Sequence, residues 1–362
     1  MPNVFAVIMA GGVGSRFWPR SREKSPKQLL EIVSKGTMIQ NTVKRIESVI
    51  DPKHTIIVTN KLQKAAIVKQ LPHIAAENII VEPLGRNTAP AIGLAAAFIR
   101  RTDPEAVMVV LPADHIMQDE AEFHRVLNLA IWVAYESKRL ITIGIHPTRP
   151  ETGYGYIQVI DDEDRSNPYF ERGVFRVKTF AEKPNLETAK QFLESGDFLW
   201  NSGMFIWRVD AIMREIEHLL PEMAQEMKKV EDALDSDKYD HVLETAYRTI
   251  RAISIDYGVM EKAHDVLVLR GNFGWSDVGS WDEVYRITGK DEHGNSVTGK
   301  TFLQGTKNTL IHAGDKFVAT IGVEGLVIIA TDDAVLVCKQ GESQDVKEVV
   351  DYLRRKQITD FL

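Results

Sequence analysis

Residues 4–30 read VFAVIMAGGVGSRFWPRSREKSPKQLL, an apolar run followed by a loop rich in glycine and then in positive charge. The run VFAVIM predicts a buried β-strand, because its apolar character is continuous and half of its residues are β-branched. Residues 10–30 hold three glycines and one acid, Glu23, and also five cations: Arg16, Arg20, Arg22, Lys24 and Lys27. A glycine-rich turn after a strand leaves backbone N–H groups open to phosphate oxygens, so this loop predicts a polyphosphate site.

The same kind of strand recurs through the first 145 residues. The apolar runs HTIIVTN, NIIVEP, AVMVVLPAD and RLITIGI alternate with segments of helical period at 37–50, 61–71, 89–101 and 120–137. This alternation predicts an α/β fold with a Rossmann-like, mixed but mainly parallel sheet flanked by helices. Ligands of such sheets bind beyond the carboxyl ends of the strands, so the loops that follow the strands are the ones to inspect.

The rest of the chain predicts a second, smaller domain. Up to residue 288 strands and helices are mixed; Asn185 and Gly196 fit the two ends of a helix, and Ser280 with Glu283 fits a capping box. Beyond that point short β-prone runs alternate with Gly, Asp and Asn turns, until a final helix at 344–356. We therefore expect a catalytic domain over 1–288 and a small all-β domain over 289–362 with an assembly role.

Composition excludes several classes of protein. The net charge is -7 and the pI is about 5.9, which argues against general nucleic-acid binding. No apolar run approaches the ~20 residues that cross a bilayer, and the N-terminus lacks a signal-peptide pattern, so we expect a cytoplasmic protein without a membrane partner. Cys338 is the only cysteine and lies in AVLVCK, which predicts a buried strand thiol.

The glycine loop fits neither of the two common phosphate-binding fingerprints. After Gly12 and Gly14 the Rossmann pattern needs a third glycine where Phe17 stands, and no Gly-Lys-Ser/Thr follows as in a Walker loop. What remains is G-G-x-G-x-R followed by Pro26 and Lys27. The guanidinium of Arg16 suits the outer phosphates of a nucleoside triphosphate, and Lys27 is placed to reach the phosphate under attack.

This stretch resembles the signature of the sugar-nucleotide pyrophosphorylases. Six further segments occur in that family's order and narrow the resemblance to the guanylyltransferases that make GDP-mannose: EPLGRNTAPAIGLAA, LPADHIM, ETGYGYIQ, FAEKPNLETAKQFLESGDFLWNSGMFIW, SIDYGVMEKA and NFGWSDVGSWDEVY. The resemblance covers residues 1 to about 288 and implies the nucleotide-diphospho-sugar transferase fold. The tail resembles the short, left-handed β-helix-like domain of the family. Some bacterial relatives continue into an isomerase domain; this chain ends before one, so we expect no phosphomannose isomerase activity.

The reaction that the resemblance implies is α-D-mannose 1-phosphate plus GTP giving GDP-mannose and diphosphate. A phosphate oxygen attacks the α-phosphorus of GTP in line, with Mg²⁺ or another divalent cation as cofactor. That oxygen is already ionised, so no general base is required and His115 is interpreted as a structural neighbour. Arg16 and Lys27 are the catalytic candidates. The nucleotide-binding candidates are Gly11, Gly12, Gly14, Arg16, Lys27, Arg86, Asn87 and Thr88; the choice of guanine rests on the resemblance, because backbone carbonyls can also accept from the base.

Metal and sugar candidates come from five other segments. Asp114 follows a strand and Asp277 precedes a helix; each alone fits a turn or cap equally well or better, and the resemblance favours both as metal ligands. It also implies that Lys183 clamps the phosphate of mannose 1-phosphate. The full set of sugar-phosphate candidates is Gly155, Glu182, Lys183, Asn201 and Asp256.

Two alternatives stay open from the sequence. A nucleotidyltransferase for another sugar 1-phosphate or another nucleotide would share the same loop and carboxylates. A catalytically silent sensor of nucleotide sugars belongs to a different class of protein. Such a sensor is expected to have lost some of the charged site residues, whereas this chain keeps Arg16, Lys27, Asp114, Lys183 and Asp277. The β domain further suggests a homodimer or a higher homo-oligomer.

Overall fold

The computed structural model describes residues 2–160 and 167–362. Contacts between residues divide the chain into two compact units, each built from separate stretches. The first unit comprises residues 1–11, 43–113 and 117–275. The second comprises residues 12–42, 114–116 and 276–362. The glycine-rich loop and the C-terminal segment therefore belong to one unit although they lie far apart in the sequence.

The first unit is built on a nine-stranded sheet within the described residues. Its strands are β1 (Val4–Met9), β2 (Thr55–Asn60), β3 (Ile79–Glu82), β4 (Val107–Pro112), β5 (Ile141–Ile145), β6 (Tyr156–Ile160), β7 (Val174–Ala181), β8 (Phe198–Arg208) and β9 (Leu267–Gly271). The order is β3-β2-β1-β4-β8-β5-β9-β7-β6. The four strands at one end run parallel, as their continuous apolar runs predict, and β8 is antiparallel to β4 and β5.

The helices confirm most of the periodic segments. Up to residue 250 they are α1 (Met38–Ile46), α2 (Lys64–Gln70), α3 (Thr88–Thr102), α4 (Glu120–Ser137), α5 (Leu186–Ser195), α6 (Val209–Leu219), α7 (Pro221–Ala233) and α8 (Tyr239–Thr249). Asn185 caps α5 by accepting from the Thr188 N–H, and Gly196 ends it in the left-handed conformation. Buried side chains from α3, α6, α7 and α8 and from β4 and β8 form one continuous apolar cluster in this unit.

The second unit contains the C-terminal sheet. The strands β10 (Ser296–Gln304), β11 (Leu310–Ile321) and β12 (Leu326–Ala330) pair in parallel, and β13 (Val335–Lys339) is antiparallel to β12. Two helices, α9 (Trp281–Ile287) and α10 (Val346–Arg355), pack on it through one apolar cluster that includes Phe17 and Trp281. Successive short parallel strands match the predicted β-helix-like domain.

In this unit the predicted helix start at Ser280 is confirmed, whereas the predicted buried strand thiol of Cys338 is confirmed as to its strand and only in part as to its burial. The Ser280 side chain accepts from the Glu283 N–H and caps α9. Cys338 lies on β13 and is partly buried, and burial raises the pKa of its thiol to about 11, which makes it inert at neutral pH. Within the described ranges, none of the helices combines the length and the apolar character needed to span a bilayer.

Candidate functional site

The glycine-rich loop owes its shape to close packing against Lys27. Gly14 has φ +62, and a Cβ placed on it would lie 2.6 Å from the Cβ of Lys27. A side chain at this position would therefore be strained and would collide with its neighbour. The Gln28 side-chain amide donates to the Gly12 carbonyl at 2.9 Å and holds the preceding turn. The loop can thus keep its backbone exposed at Gly12 and remain ordered.

A cleft of about 340 Å³ in the second unit brings the predicted phosphate and metal residues together. Its charged lining consists of Arg16, Lys27, Asp114, Asp277 and Lys347. The remaining lining residues are Gly14, Ser15, Phe17, His115, Val278 and Gly279. The size falls in the range of small-molecule sites, and the mixture of cations and carboxylates suits a polyphosphate with a divalent cation.

Lys27 occupies the centre of this arrangement. Only 4% of the residue is exposed, and its ammonium donates to Asp114 Oδ2 at 2.8 Å and to the Asp277 carbonyl at 2.6 Å. We expected Lys27 to reach a phosphate; here its ammonium joins the two segments that carry the predicted metal ligands. Because both segments are bonded to one buried group, the positions of Asp114 and Asp277 are coupled.

Asp114 is ionised in this setting. Burial opposes its negative charge, but the Lys27 ammonium and His115 outweigh that effect and hold the pKa of Asp114 below its ordinary value. An ionised carboxylate is what a divalent cation requires as a ligand. His115 therefore lines the cleft and acts on the charge of its neighbour, which fits the interpretation of a supporting residue.

Two carboxylate residues, Asp114 and Asp277, line the cleft, which is fewer than a complete metal cage needs. In residues 2–160 and 167–362, no group of three His, Cys, Asp or Glu side chains is placed to hold a metal ion. Magnesium in phosphoryl-transfer sites is commonly bound by one or two carboxylates, with phosphate oxygens and water completing the octahedron. Asp114 and Asp277 fit that donor set.

The five sugar-phosphate candidates also come together, in the first unit. The Asn201 side-chain amide donates to Asp256 Oδ1 at 2.8 Å, and the Asn201 N–H donates to the Gly155 carbonyl at 2.8 Å. Lys183 Nζ lies 3.0 Å from Glu182 Oε1. A Cβ on Gly155 would lie 2.4 Å from Glu182 Oε2, so only glycine admits the carboxylate. Burial, and then the charge of Glu182, raises the pKa of Asp256.

The segment Arg86–Thr88 is held differently from what we expected. The Arg86 guanidinium donates to the carbonyls of Tyr247, at 2.7 Å, and Arg248, at 3.2 Å. Asn87 caps α3, and the Thr88 hydroxyl accepts from the Ile255 N–H at 2.8 Å. These side chains fasten the loop to the stretch that precedes Asp256. Nucleotide contacts by Arg86, Asn87 and Thr88 stay a prediction.

Sequence reasoning missed one buried acid close to the predicted nucleotide loop. Glu82 ends β3 with 8% exposure, and its Oε2 lies 3.7 Å from the position of a Cβ on Gly11. Its carboxyl group lies near the buried Tyr247 hydroxyl, and each of the two groups affects the pKa of the other. Burial raises the pKa of Glu82 to about 7. The available signal was an acid that ends an apolar strand, in NIIVEP.

Sequence reasoning also missed Lys347, a charged residue of the cleft in the second unit. It lies on α10, whose alternation of apolar and charged residues is that of any surface helix, so nothing in its own neighbourhood distinguishes it from a solvated lysine. Only the fold of the second unit places it beside the residues that follow β1 and β4 in the sequence.

Comparisons with known proteins show the family to which the chain belongs. A nucleotidyl transferase family model matches residues 5–294, and a model of the MannoseP isomerase/GMP-like beta-helix domain matches residues 303–353. The chain is 39% identical over 360 residues to mannose-1-phosphate guanylyltransferase RfbM of Salmonella typhimurium strain LT2, covering 98% of this chain and 73% of that one. It is 39% identical to the mannose-1-phosphate guanylyltransferase of Escherichia coli strain K12, with 97% and 74% covered.

The fold of the chain is also similar to that of a solved structure. The crystal structure of mannose-1-phosphate geranyltransferase from Thermus thermophilus superposes with a TM-score of 0.86 at 33% identity, covering 97% of this chain and 99% of that one. Similarity of sequence and of fold thus extends over nearly the whole chain. This chain therefore belongs to the nucleotidyl transferase family, in the group of the mannose-1-phosphate guanylyltransferases.

Proposed function

We propose that this chain transfers the guanylyl group of GTP to α-D-mannose 1-phosphate, giving GDP-mannose and diphosphate. The observation that carries the proposal is the cleft in which Arg16, Lys27, Asp114 and Asp277 converge. The relatives named for this reaction, at 39% identity over 98% of the chain, support the choice of substrates. An oxygen of the sugar phosphate bonds to the α-phosphorus while the bond from that phosphorus to the leaving diphosphate breaks.

The residues of the cleft perform this chemistry by positioning and by charge. Two polyanions must approach each other, so most of the barrier is electrostatic and orientational. Arg16 can donate two parallel hydrogen bonds to phosphate oxygens, and the bare backbone at Gly12 and Gly14 lets the phosphates come close. The ionised oxygen of the sugar phosphate needs no base, which agrees with the supporting role of His115.

Asp114 and Asp277 would hold a divalent cation, with Mg²⁺ as the expected ion. When bound there, the cation would neutralise the phosphate charge and orient the leaving group. Lys27 bonds to the Asp114 carboxylate and to the Asp277 carbonyl, and so it keeps both ligands in place. Its own contribution is therefore to position the carboxylates, in addition to any contact with a phosphate.

The sugar-phosphate set of the first unit would receive mannose 1-phosphate. Lys183 is exposed and supplies the cation for the phosphate. Glu182, Asp256 and the Asn201 amide offer hydrogen-bond partners to the sugar hydroxyls, and Gly155 provides the room beside them. The Asn201–Asp256 bond keeps this set in one arrangement before the substrate arrives.

Glu82 would select the base. Guanine presents two adjacent donors, its N1–H and its exocyclic amine, and a carboxylate accepts both in a bidentate fashion. Adenine has an acceptor at N1, so the same carboxylate rejects it. Glu82 lies beside Gly11 of the predicted nucleotide loop, and above its pKa of about 7 it is a carboxylate that can accept from the base. The proposal thus adds a side-chain acceptor to the backbone carbonyls that the sequence left open as acceptors for the base.

The β domain would mediate self-association into a homodimer or a larger homo-oligomer. Lys300 pairs with Phe317, Phe302 with Ala319 and Gln304 with Ile321, so these residues share one face of β10 and β11. On that face Phe302, Phe317 and Ile321 are exposed, the last two by 68% and 67%. A cluster of large apolar side chains on a small sheet is typical of a protein–protein contact.

The experiment measures pyrophosphate release with Mg²⁺ for GTP, ATP, UTP and dTTP against mannose, glucose and other sugar 1-phosphates. We expect release with GTP and mannose 1-phosphate alone. A different productive pair would keep the mechanism and refute the substrates. No release with any pair would favour the catalytically silent sensor. A Glu82→Gln variant run in parallel should lose at least tenfold in kcat/KM for GTP, if Glu82 selects the base.

A further inference from the structure

The terminal helix α10 brings a third cation into the cleft of the second unit. Lys347 lines this cleft together with Arg16, Lys27, Asp114 and Asp277. It lies in the first turn of α10, directly after the buried Val346. Within the part of the chain that the structure describes, its side chain forms no ion pair or hydrogen bond. Its ammonium is therefore available to a ligand in the cleft.

Packing fixes the backbone on which this ammonium is carried. Val346, Phe17 and Val278 belong to one apolar cluster, and α10 packs against the turn Ser15–Phe17. Each of three charged residues in the cleft is the sequence neighbour of a buried member of that cluster: Arg16 of Phe17, Asp277 of Val278 and Lys347 of Val346. The core of the second unit thus sets the positions of all three charges.

A carboxylate at the start of α9 holds the segment that leads into α10. Asp282 accepts from the Gly341 N–H at 2.8 Å, from the Ser343 N–H at 3.2 Å and from the Ser343 hydroxyl at 2.5 Å. The Asp282 N–H in turn donates to the Ser343 hydroxyl oxygen at 3.0 Å. Since α9 begins four residues after Asp277, these hydrogen bonds connect the start of α10 to the segment that carries this predicted metal ligand.

The balance of charge shows what Lys347 adds. Lys27 is paired with Asp114, so its charge is already compensated. Without Lys347 the cleft is lined by two cations, Arg16 and Lys27, and by two carboxylates, Asp114 and Asp277; with it the cations number three. A divalent cation held by Asp114 and Asp277 would offset their two negative charges, and Lys347 would add one further positive charge for the outer phosphates of a triphosphate, which carry several negative charges.

We propose that Lys347 binds the β- and γ-phosphates of the nucleotide and, after the transfer, the diphosphate product. This inference rests on the proposed function, because it concerns the same cleft. A lysine ammonium is a compact point charge on a flexible stem, which suits a phosphate that changes position as it leaves. The C-terminal segment then takes part in substrate binding, beyond the assembly role proposed for it.

The test compares the full-length chain with Lys347→Ala, Lys347→Arg and the control Lys356→Ala, which removes the same charge just beyond the other end of α10. Calorimetry measures the binding of inorganic pyrophosphate with Mg²⁺. Kinetics in both directions give KM for GTP, pyrophosphate and mannose 1-phosphate. For Lys347→Ala we expect about tenfold weaker pyrophosphate binding and a tenfold higher KM for GTP, with KM for mannose 1-phosphate within twofold. Lys347→Arg should recover most of the affinity, and Lys356→Ala should match the unaltered chain.

The outcomes separate this inference from the proposed function. Equal pyrophosphate binding by the unaltered chain and Lys347→Ala would overturn the inference, as would no binding by either. Loss in Lys356→Ala equal to that in Lys347→Ala would also overturn it, because the effect would then be one of net charge. If pyrophosphate binding depends on Lys347 but no nucleotide and sugar pair reacts, the inference stands and the proposed reaction fails.

Discussion

Lys27 and Asp114 are joined by an ion pair of 2.8 Å in which only 5% of the lysine side chain is exposed. The same ammonium donates to the carbonyl of Asp277, 250 residues away in the sequence. One buried cation therefore connects the predicted phosphate loop to both predicted metal ligands. Removing the Asp114 carboxylate would leave the buried Lys27 ammonium poorly solvated, so this contact organises the cleft and makes it sensitive to substitution at Asp114.

Asp114→Asn should lower kcat for GDP-mannose formation at least 100-fold, because it removes a charge that both Lys27 and a bound cation require. Pyrophosphate release measures the rate, and the melting temperature reports on folding. Asp332→Asn, at an exposed position, is the control and should leave the rate unchanged. Turnover of the unaltered chain that survives thorough chelation would contradict a metal role for Asp114.

Lys183→Ala should raise KM for mannose 1-phosphate by about tenfold or more and leave KM for GTP within twofold. The reason is that a charge-assisted bond to the sugar phosphate contributes about 1.5–3 kcal/mol, whereas GTP has no contact with this lysine in the proposal. Initial rates over a grid of both substrates separate the two constants. Lys190→Ala, an exposed lysine on α5, serves as the control. An equal rise of both constants would refute the assignment of Lys183 to the sugar phosphate.

Gly155→Ala should impair sugar binding with little loss of stability. The new Cβ would lie 2.4 Å from Glu182 Oε2, so the carboxylate must swing away, which a flexible side chain does at low cost. We expect KM for mannose 1-phosphate to rise about tenfold and the melting temperature to stay within a few degrees. Gly289→Ala meets nothing within 4 Å and should change neither quantity. An unchanged KM in Gly155→Ala would show that Glu182 does not contact the sugar.

Stability should depend on pH through Glu82. Burial raises its folded-state pKa from 4.5 to about 7, so the folded chain keeps a proton that the unfolded chain releases. The stabilisation by this proton is complete below pH 4.5 and is lost as the pH rises through about 7, a change of about 3 kcal/mol. The difference in free energy of unfolding between the unaltered chain and Glu82→Gln should shift by that amount. Urea unfolding at pH 5 and pH 8 measures it, and a pH-independent difference would contradict the raised pKa.

Phe317→Asp should dissociate the proposed homo-oligomer. The substitution introduces a charge into the exposed apolar face of β10 and β11, where Phe302 and Ile321 lie. Light scattering coupled to size exclusion gives the mass of the unaltered chain and of the variant. Leu62→Asp, at an exposed leucine of the first unit, should leave the mass unchanged. A monomeric unaltered chain would rule out the assembly role of this face.

Local signals predicted much of the fold and part of the site. Gly12 and Asp114 each follow an apolar run that forms a strand, as predicted. Since ligands of such sheets bind beyond the strand ends, both loops could be predicted to belong to the site. Asn185 and Gly196 predicted the ends of α5 because caps depend on residues within one turn. These inferences succeed because strand periodicity, caps and tight turns are decided by neighbours in sequence.

Contacts over long separations could not be predicted in the same way. The bond between Lys27 and the Asp277 carbonyl and the contacts of Arg86 with the backbone of Tyr247 depend on how distant segments meet. Glu82 was overlooked because an acid at the end of a strand is common, and only its burial next to Gly11 sets it apart. Lys347 had no signal at all, since surface helices are rich in lysine.

The second unit is made of three separate stretches, residues 12–42, 114–116 and 276–362, which the ribosome synthesises at different times. The ribosome completes the loop at residues 10–30 more than 300 residues before it reaches Lys347 in α10. The nascent chain can therefore fold the nine-stranded sheet while its phosphate cleft is still incomplete. A message truncated shortly before codon 346 would yield a chain that carries every nucleotide motif quoted above and binds diphosphate poorly.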